Sequence, residues 1–245
     1  MSGRHGSKST VIVNQFDLSG KTSSFDSSVT IEVVEDQGMG GVVAKGYTPG
    51  PMSWKKTQKG FFESDPLSTT KIAEILESLK GTLCQTIFTP GWTATEGKIA
   101  KAGQAWLSDF NIPSTNSSLV GAQVTYQGNI ALARCKVLGN ATKTAGANGT
   151  AFDFGAAGTA GVESYLAVTA FTGTNATFKV QSSADGSTGW ADRVTHTVVS
   201  GLTYERLVSG TTVDRWLRYA LTGTLTSISF VIVARPVGVF GWAAT

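Results

Sequence analysis

Val29, Ile31 and Val33 alternate with Thr30, Glu32 and Val34 in the segment from Phe25 to Val34, a period of two that predicts a strand with one wet face. Further strands are expected at Val11–Val13, Thr82–Phe88, around Ala105–Leu107, at Ala122–Tyr126 and at Ala131–Val137. Helical spacing is convincing once: Ile72, Ile75, Leu76 and Leu79 fall at i, i+3, i+4 and i+7, behind the capping signals of Asp65–Thr69 and ahead of Gly81. The helix's charged side, with Lys71, Glu74, Glu77 and Lys80, has the composition of an ordinary solvated face.

Beyond residue 150 the alternation is clean at Tyr165–Val168, Phe178–Gln181, Val194–Val198, Arg215–Leu221 and Ile228–Val233, the spacing of a β-sandwich. In the Arg215–Leu221 strand, Leu217, Tyr219 and Leu221 share the core face. Trp216 and Arg218 face the other way, either packed beneath a loop or forming a sugar-stacking or partner-binding patch. Residues 139–150, GNATKTAGANGT, are small and polar with no periodicity, the composition of a flexible linker. The expected fold is mainly β: an antiparallel β-sandwich or barrel with one α-helix over residues 1–138, the linker 139–150, and a C-terminal β-sandwich over 151–245.

Residues 38–54, GMGGVVAKGYTPGPMSW, interrupt this pattern as a long loop. Glycine and proline suit irregular backbone, and loops longer than about 12 residues are usually functional or disordered. Gly38, Gly40 and Gly41 match neither GxGxxG nor GxxxxGK[ST], so phosphate cradling is not what the loop is for.

Composition narrows the classes. The chain is 41 % hydrophobic and 15 % charged, with 29 glycines and a net charge of +3. Residues 1–139 hold 13 basic and 11 acidic side chains and the remainder 7 and 6, so neither half has the basic excess that grips nucleic acid. Cys84 and Cys135 fit no metal or disulfide pattern and are expected as core thiols. The N-terminal arm lacks the apolar stretch of a secretory signal, and no run reaches the 18 or so apolar residues of a membrane span. Folding in a cytosol, without Sec export or a membrane anchor, is expected.

Catalytic chemistry is thinly supplied. His5 and His196 have no recognisable partners, and Ser19, Ser53 and Ser108 lack a GxSxG elbow. Asp185-Gly186-Ser187-Thr188-Gly189-Trp190-Ala191-Asp192 has too few acidic ligands for a calcium loop and fits a hairpin turn. Paired carboxylates for glycoside hydrolysis are separated in space and so are not read from sequence. The chain is therefore expected not to be an enzyme, with no catalytic residue, cofactor or metal.

The order of Asp17-Leu18-Ser19-Gly20, Ser23-Ser24-Phe25-Asp26, a glycine-containing stretch running to Ala44-Lys45-Gly46-Tyr47-Thr48-Pro49-Gly50, and Gly60-Phe61-Phe62 resembles the major tail, or tail tube, protein of long-tailed bacteriophages over roughly the first 138 residues. Val180–Gly186, Gly189–Asp192 and Arg215–Tyr219 are similar to the extra Ig-like β-sandwich that some phage tail proteins carry outside. The basic segment Pro51–Lys59 departs from the family, whose members tend to be shorter and less basic there.

The resemblance implies a virion protein, assembled in the bacterial cytoplasm, whose main partner is itself: hexameric rings stacked head to tail into a tube that conducts DNA without binding it specifically. Tape-measure, tail tip and terminator proteins are the implied further partners. Heterologous stacking of this kind does not close on itself and gives a filament. The loop is then the inter-ring contact, with Val42, Val43, Tyr47, Met52 and Trp54 as apolar anchors and Lys45 and Lys55 among the pairing cations. Glu32, Glu35 and Asp36 are candidate lumen residues, because an acidic wall repels phosphate. Two other functions stay open: a virion-anchored module binding a host glycan, and a capsid decoration or head-tail joining protein.

Overall fold

A computed structural model describes residues 9–36, 46–61, 72–91, 94–112 and 121–238. The chain forms β1 (Thr10–Val13), β2 (Phe16–Asp17), a 3-10 turn (Ser19–Lys21), β3 (Thr22–Asp36), β4 (Gly46–Phe61), α1 (Ile72–Ser78), β5 (Leu83–Thr89), β6 (Ile99–Asn111) and β7 (Gly121–Gly128). It continues with β8 (Ala133–Lys143), β9 (Ala147–Asn148), β10 (Phe152–Asp153), β11 (Val162–Ser183), β12 (Ala191–Thr195), β13 (Thr203–Ser209) and β14 (Trp216–Pro236). The fold is mainly β, its described strand pairs are antiparallel, and α1 is the α-helix among the described residues. Gly81, at φ 72°, ends the helical segment where its sequence placed it.

Two compact units result, and neither is continuous in sequence. The described residues of one fall in Met1–Gly20, Cys84–Ala102 and Ala133–Thr245, those of the other in Lys21–Leu83 and Gly103–Leu132. This division does not follow the expected boundaries at 138 and 151. β8 runs through that point unbroken, pairing Gly139 with Ile232 and Asn140 with Val231 of β14. The expected linker is also tied down further on: β9 pairs with β14, and the Gly149 N–H donates to the Tyr219 carbonyl at 2.9 Å. Its glycines reflect close approach: the Tyr219 ring occupies the space that a Cβ on Gly139 or Gly149 would need.

In the first unit, β11 and β14 form one ribbon pairing from Val162–Pro236 to Ser183–Trp216, where the sequence predicted two pairs of separate strands. Register shifts near Val168, Thr172 and Gly173 bend the ribbon without ending it. Leu166, Val168 and Phe230 from one half and Phe178, Val180 and Tyr219 from the other join a single apolar cluster, so the bent ribbon encloses one core as a sandwich does. Phe178 and Tyr219 pack on Phe230 with ring centroids 4.6 and 5.2 Å away. The opposite face is also covered: Tyr165, Ala167, Val231 and Val233 cluster with Ile12, Ile87, Cys135 and Val137.

The second unit is a sheet in the order β3-β4-β7-β6, with α1 packed against β7. Alternation places Trp54, Lys56 and Gln58 of β4 on one face with Val124 and Tyr126 of β7, and all five are buried. The Tyr126 hydroxyl donates to Gln58 Oε1 at 2.9 Å, and Gln58 Nε2 donates to Thr22 Oγ1 at 2.7 Å, which satisfies the buried amide.

The expected loop 38–54 is in large part strand. Residues 46–54 belong to β4, while 38–45 lie outside the described residues. The prolines misled because β4 tolerates them there. Pro51 sits where the register shifts between Ile31–Met52 and Val33–Pro49, and this part of β4 pairs with β3 alone, so a missing N–H breaks no second ladder.

Candidate functional site

β7 pairs with β4 only from Lys55 onward, so from residue 54 back to 46 the β3–β4 pair is a two-stranded ribbon. Its register sets Val29 opposite Trp54, Ile31 opposite Met52 and Glu35 opposite Tyr47. Residues opposite one another share a face, so Val29, Ile31, Met52 and Trp54 form one apolar stripe. Val29, Ile31 and Met52 are 46 %, 51 % and 58 % exposed. The other face is polar, with Ser28, Thr30, Ser53 and Lys55. Isolated two-stranded ribbons are marginal in water, so an apolar stripe along one is a surface that gains from being covered.

Trp54 corrects the expected anchor set, because it is 3 % exposed and belongs to its own unit's core. Its indole N–H donates to the Ile130 carbonyl, and its ring fills the space where a Cβ on Gly103 or Gly128 would lie. Met52 and Lys55 are exposed but on opposite faces, Tyr47 lies in β4, and Val42, Val43 and Lys45 lie outside the described residues. Val29 and Ile31 were missed as surface groups because period two marks a strand's faces without showing where the covering layer stops.

Of the candidate lumen residues, Glu32 is exposed and falls by alternation on the polar face of β3; Glu35 and Asp36 lie at the strand's end opposite Tyr47 and Gly46. That polar face also carries Lys55 opposite Ser28 and Lys59 opposite Ser24, so its charge is mixed.

His196 has partners that the sequence did not disclose. It lies just past β12, its Nε2 is 3.0 Å from Ser164 Oγ on β11, and its Nδ1 is 2.9 Å from Glu205 Oε2 on β13. Thr197 also donates to Glu205, through its N–H at 2.9 Å and its hydroxyl at 2.7 Å. The His196 hydrogen bond, helped by those from Thr197 and opposed by burial, holds the Glu205 carboxyl down at about 2. Serine, histidine and carboxylate are the types of a hydrolytic triad, yet Ser164 is 0 % exposed and its strand is paired on both sides, with Leu207 and Ala234. No substrate carbonyl reaches that oxygen, so the group acts as a clasp on β13.

A second clasp fastens β13 from its other face. Glu163 accepts from Tyr165 Oη at 2.7 Å, Arg206 Nε at 2.8 Å and Arg235 Nε at 2.8 Å. Because Glu205's folded pKa lies below its ordinary 4.5, its contribution to stability is fully present above that value and is lost as pH falls toward about 2. Glu205→Gln is expected to lower the melting temperature at pH 7, at a cost of about 1–3 kcal/mol, and to flatten the acid limb of the melting profile. Parallel profiles for variant and wild type between pH 5 and pH 2, measured by circular dichroism, would count against the clasp.

Trp216 and Arg218 lie under the β11–β12 turn: Gly186 sits against the Trp216 ring, and the Arg218 guanidinium lies 4.1 Å from the Trp190 ring centroid. Among the described residues no cluster of three or more His, Cys, Asp or Glu is placed to hold a metal ion, and no helix is long and apolar enough to cross a membrane.

No family model matches the sequence, and no match is found among curated proteins. A chain of a solved structure entitled "Virion of native gene transfer agent (GTA) particle" is similar over 54 % of this chain and 98 % of its own, at 12 % identity and a TM-score of 0.39. The SPP1 Dit (gp 19.1) protein, described as a paradigm of the hub adsorption apparatus in Gram-positive infecting phages, is similar over 93 % and 98 %, at 12 % identity and a TM-score of 0.37. Likeness at this level assigns no role.

Proposed function

We propose that this chain is a structural virion protein of a phage-type tail, polymerising with copies of itself as stacked rings, hexameric by family resemblance, into the tube that conducts DNA. The observation that carries this reading is the β3–β4 ribbon, whose apolar stripe of Val29, Ile31 and Met52 is left uncovered beyond the edge of β7. The order of sequence features from Asp17 to Phe62 supports it independently. A ribbon on one copy that packs against a different surface of the next makes a heterologous contact, which propagates instead of closing. Tape-measure, tip and terminator proteins are the other partners in this reading, and the virion is its location. Electron microscopy of the concentrated protein tests it: long hollow tubes are expected. Isolated rings would favour a decoration or head-tail joining role, and monomers at every concentration would overturn the proposal.

A further inference from the structure

Arginines around the β11–β14 ribbon come with carboxylates: Arg193 meets Asp214 at 2.9 Å, Arg206 and Arg235 share Glu163, and Arg215 pairs with Asp153. Arg218 is different. Its Nε–H donates to Gln181 Oε1 at 3.0 Å and its guanidinium stacks on Trp190, while its Nη groups meet no acceptor among the described residues. Asp192 is already taken, accepting from Gln181 Nε2 at 2.8 Å and from Lys179 Nζ at 2.6 Å. Burial pushes the Arg218 guanidinium's pKa down, the direction a cation takes when no anion compensates its desolvation. Trp190 is fixed by its Nε1–H, which donates to the Ser187 carbonyl at 3.1 Å, and it remains half-buried, as does Trp216.

We infer that Arg218 and Trp190 form a binding site for an acidic saccharide, with the sugar carboxylate on the outer edge of the guanidinium. This inference does not depend on the tube. Nη groups along one edge of a guanidinium match the two oxygens of a carboxylate, and a guanidinium already held by stacking loses little freedom on binding. With the guanidinium on one face of the Trp190 indole, a pyranose seated on Arg218 meets the indole at its edge, and its hydroxyls suit the Gln181–Asp192–Lys179 row. An acidic segment of a protein fits less well, because the exposed large apolar side chains that would build an interface core in this unit, Val198, Leu202, Tyr204 and Val208, belong to β13 and the segment before it.

Calorimetric titration of the full chain with a hyaluronan tetrasaccharide, whose uronates carry the carboxyl, tests this against the same sugar with its carboxyls reduced. Saturable binding is expected, at least about tenfold tighter than that of the reduced sugar. Arg218→Gln is expected to lose about tenfold or more while its melting transition stays cooperative, and Trp190→Ala to weaken both sugars. Equal binding of the two sugars, no binding of either, or an Arg218→Gln variant that binds as wild type would overturn the site. Competition by inorganic phosphate as strong as by the acidic sugar would reduce it to a bare anion contact and overturn the saccharide assignment as well.

Discussion

Ending the chain after Gly139 is expected to leave no folded unit around β1, β5 and β8. The cut removes β11 and β14, and with them the cluster of Leu166, Phe178, Tyr219 and Phe230 and the Tyr165, Ala167, Val231 and Val233 side of the second cluster. Whole domains are stable by only about 5–15 kcal/mol, and burying one large apolar side chain contributes about 1.5–3 kcal/mol, so stripping the cover from Ile12, Ile87, Val137 and Leu138 removes an amount of the same order as the whole reserve. The fragment should be insoluble, or should melt without a cooperative transition from its β1, β5 and β8 segments, as read by hydrogen exchange. A soluble 1–139 fragment with those three strands protected would contradict the structure and restore the boundary that the sequence suggested.

Replacing Ile31 by aspartate and Met52, directly opposite, by lysine is expected to abolish tube formation while shifting stability by no more than about 0.5 kcal/mol, because both side chains face solvent in the subunit and the two charges are of opposite sign. Trp54→Ala should behave in the opposite sense as a folding lesion, costing about 3–5 kcal/mol, because the ring is buried against Gly103 and Gly128. The contrast separates ribbon from core in one experiment. Tubes of normal length from the double variant, seen by electron microscopy, would remove the stripe from the assembly contact.

Local pattern carried the strands and the helix because each is written over a few consecutive residues. Ile72, Ile75, Leu76 and Leu79 announce α1, and the local pattern announces β3, β5, β7 and the first part of β8. What failed was long-range. Gly139 and Gly149 have the composition of a linker until Tyr219, 80 and 70 residues further along the chain, is seen to need the space. Two strands with an irregular stretch between them look separate until their partner bends with them, as β11 and β14 do. At the candidate sites, Trp54 and Met52 are two residues apart on one strand face, yet one is core and the other bare, because β7's pairing with β4 stops at Lys55. His196 looked partnerless for the same reason: Ser164 and Glu205 reach it from β11 and β13.

The interleaving of the two units has a consequence for how the chain is made. Residues Lys21–Leu83 and Gly103–Leu132 complete one unit when Leu132 emerges, whereas β1, β5 and β8 of the other must wait for β14, which ends at Pro236. At elongation rates of about 5–20 residues per second, that interval of roughly 100 residues lasts about 5–20 s. During it, the ribbon-bearing unit can form on the ribosome while β1, β5 and β8 of the other unit still lack the apolar cover that β11 and β14 bring. β14 thus closes its own unit, and a chain released before β14 carries a complete ribbon together with an unfinished second unit.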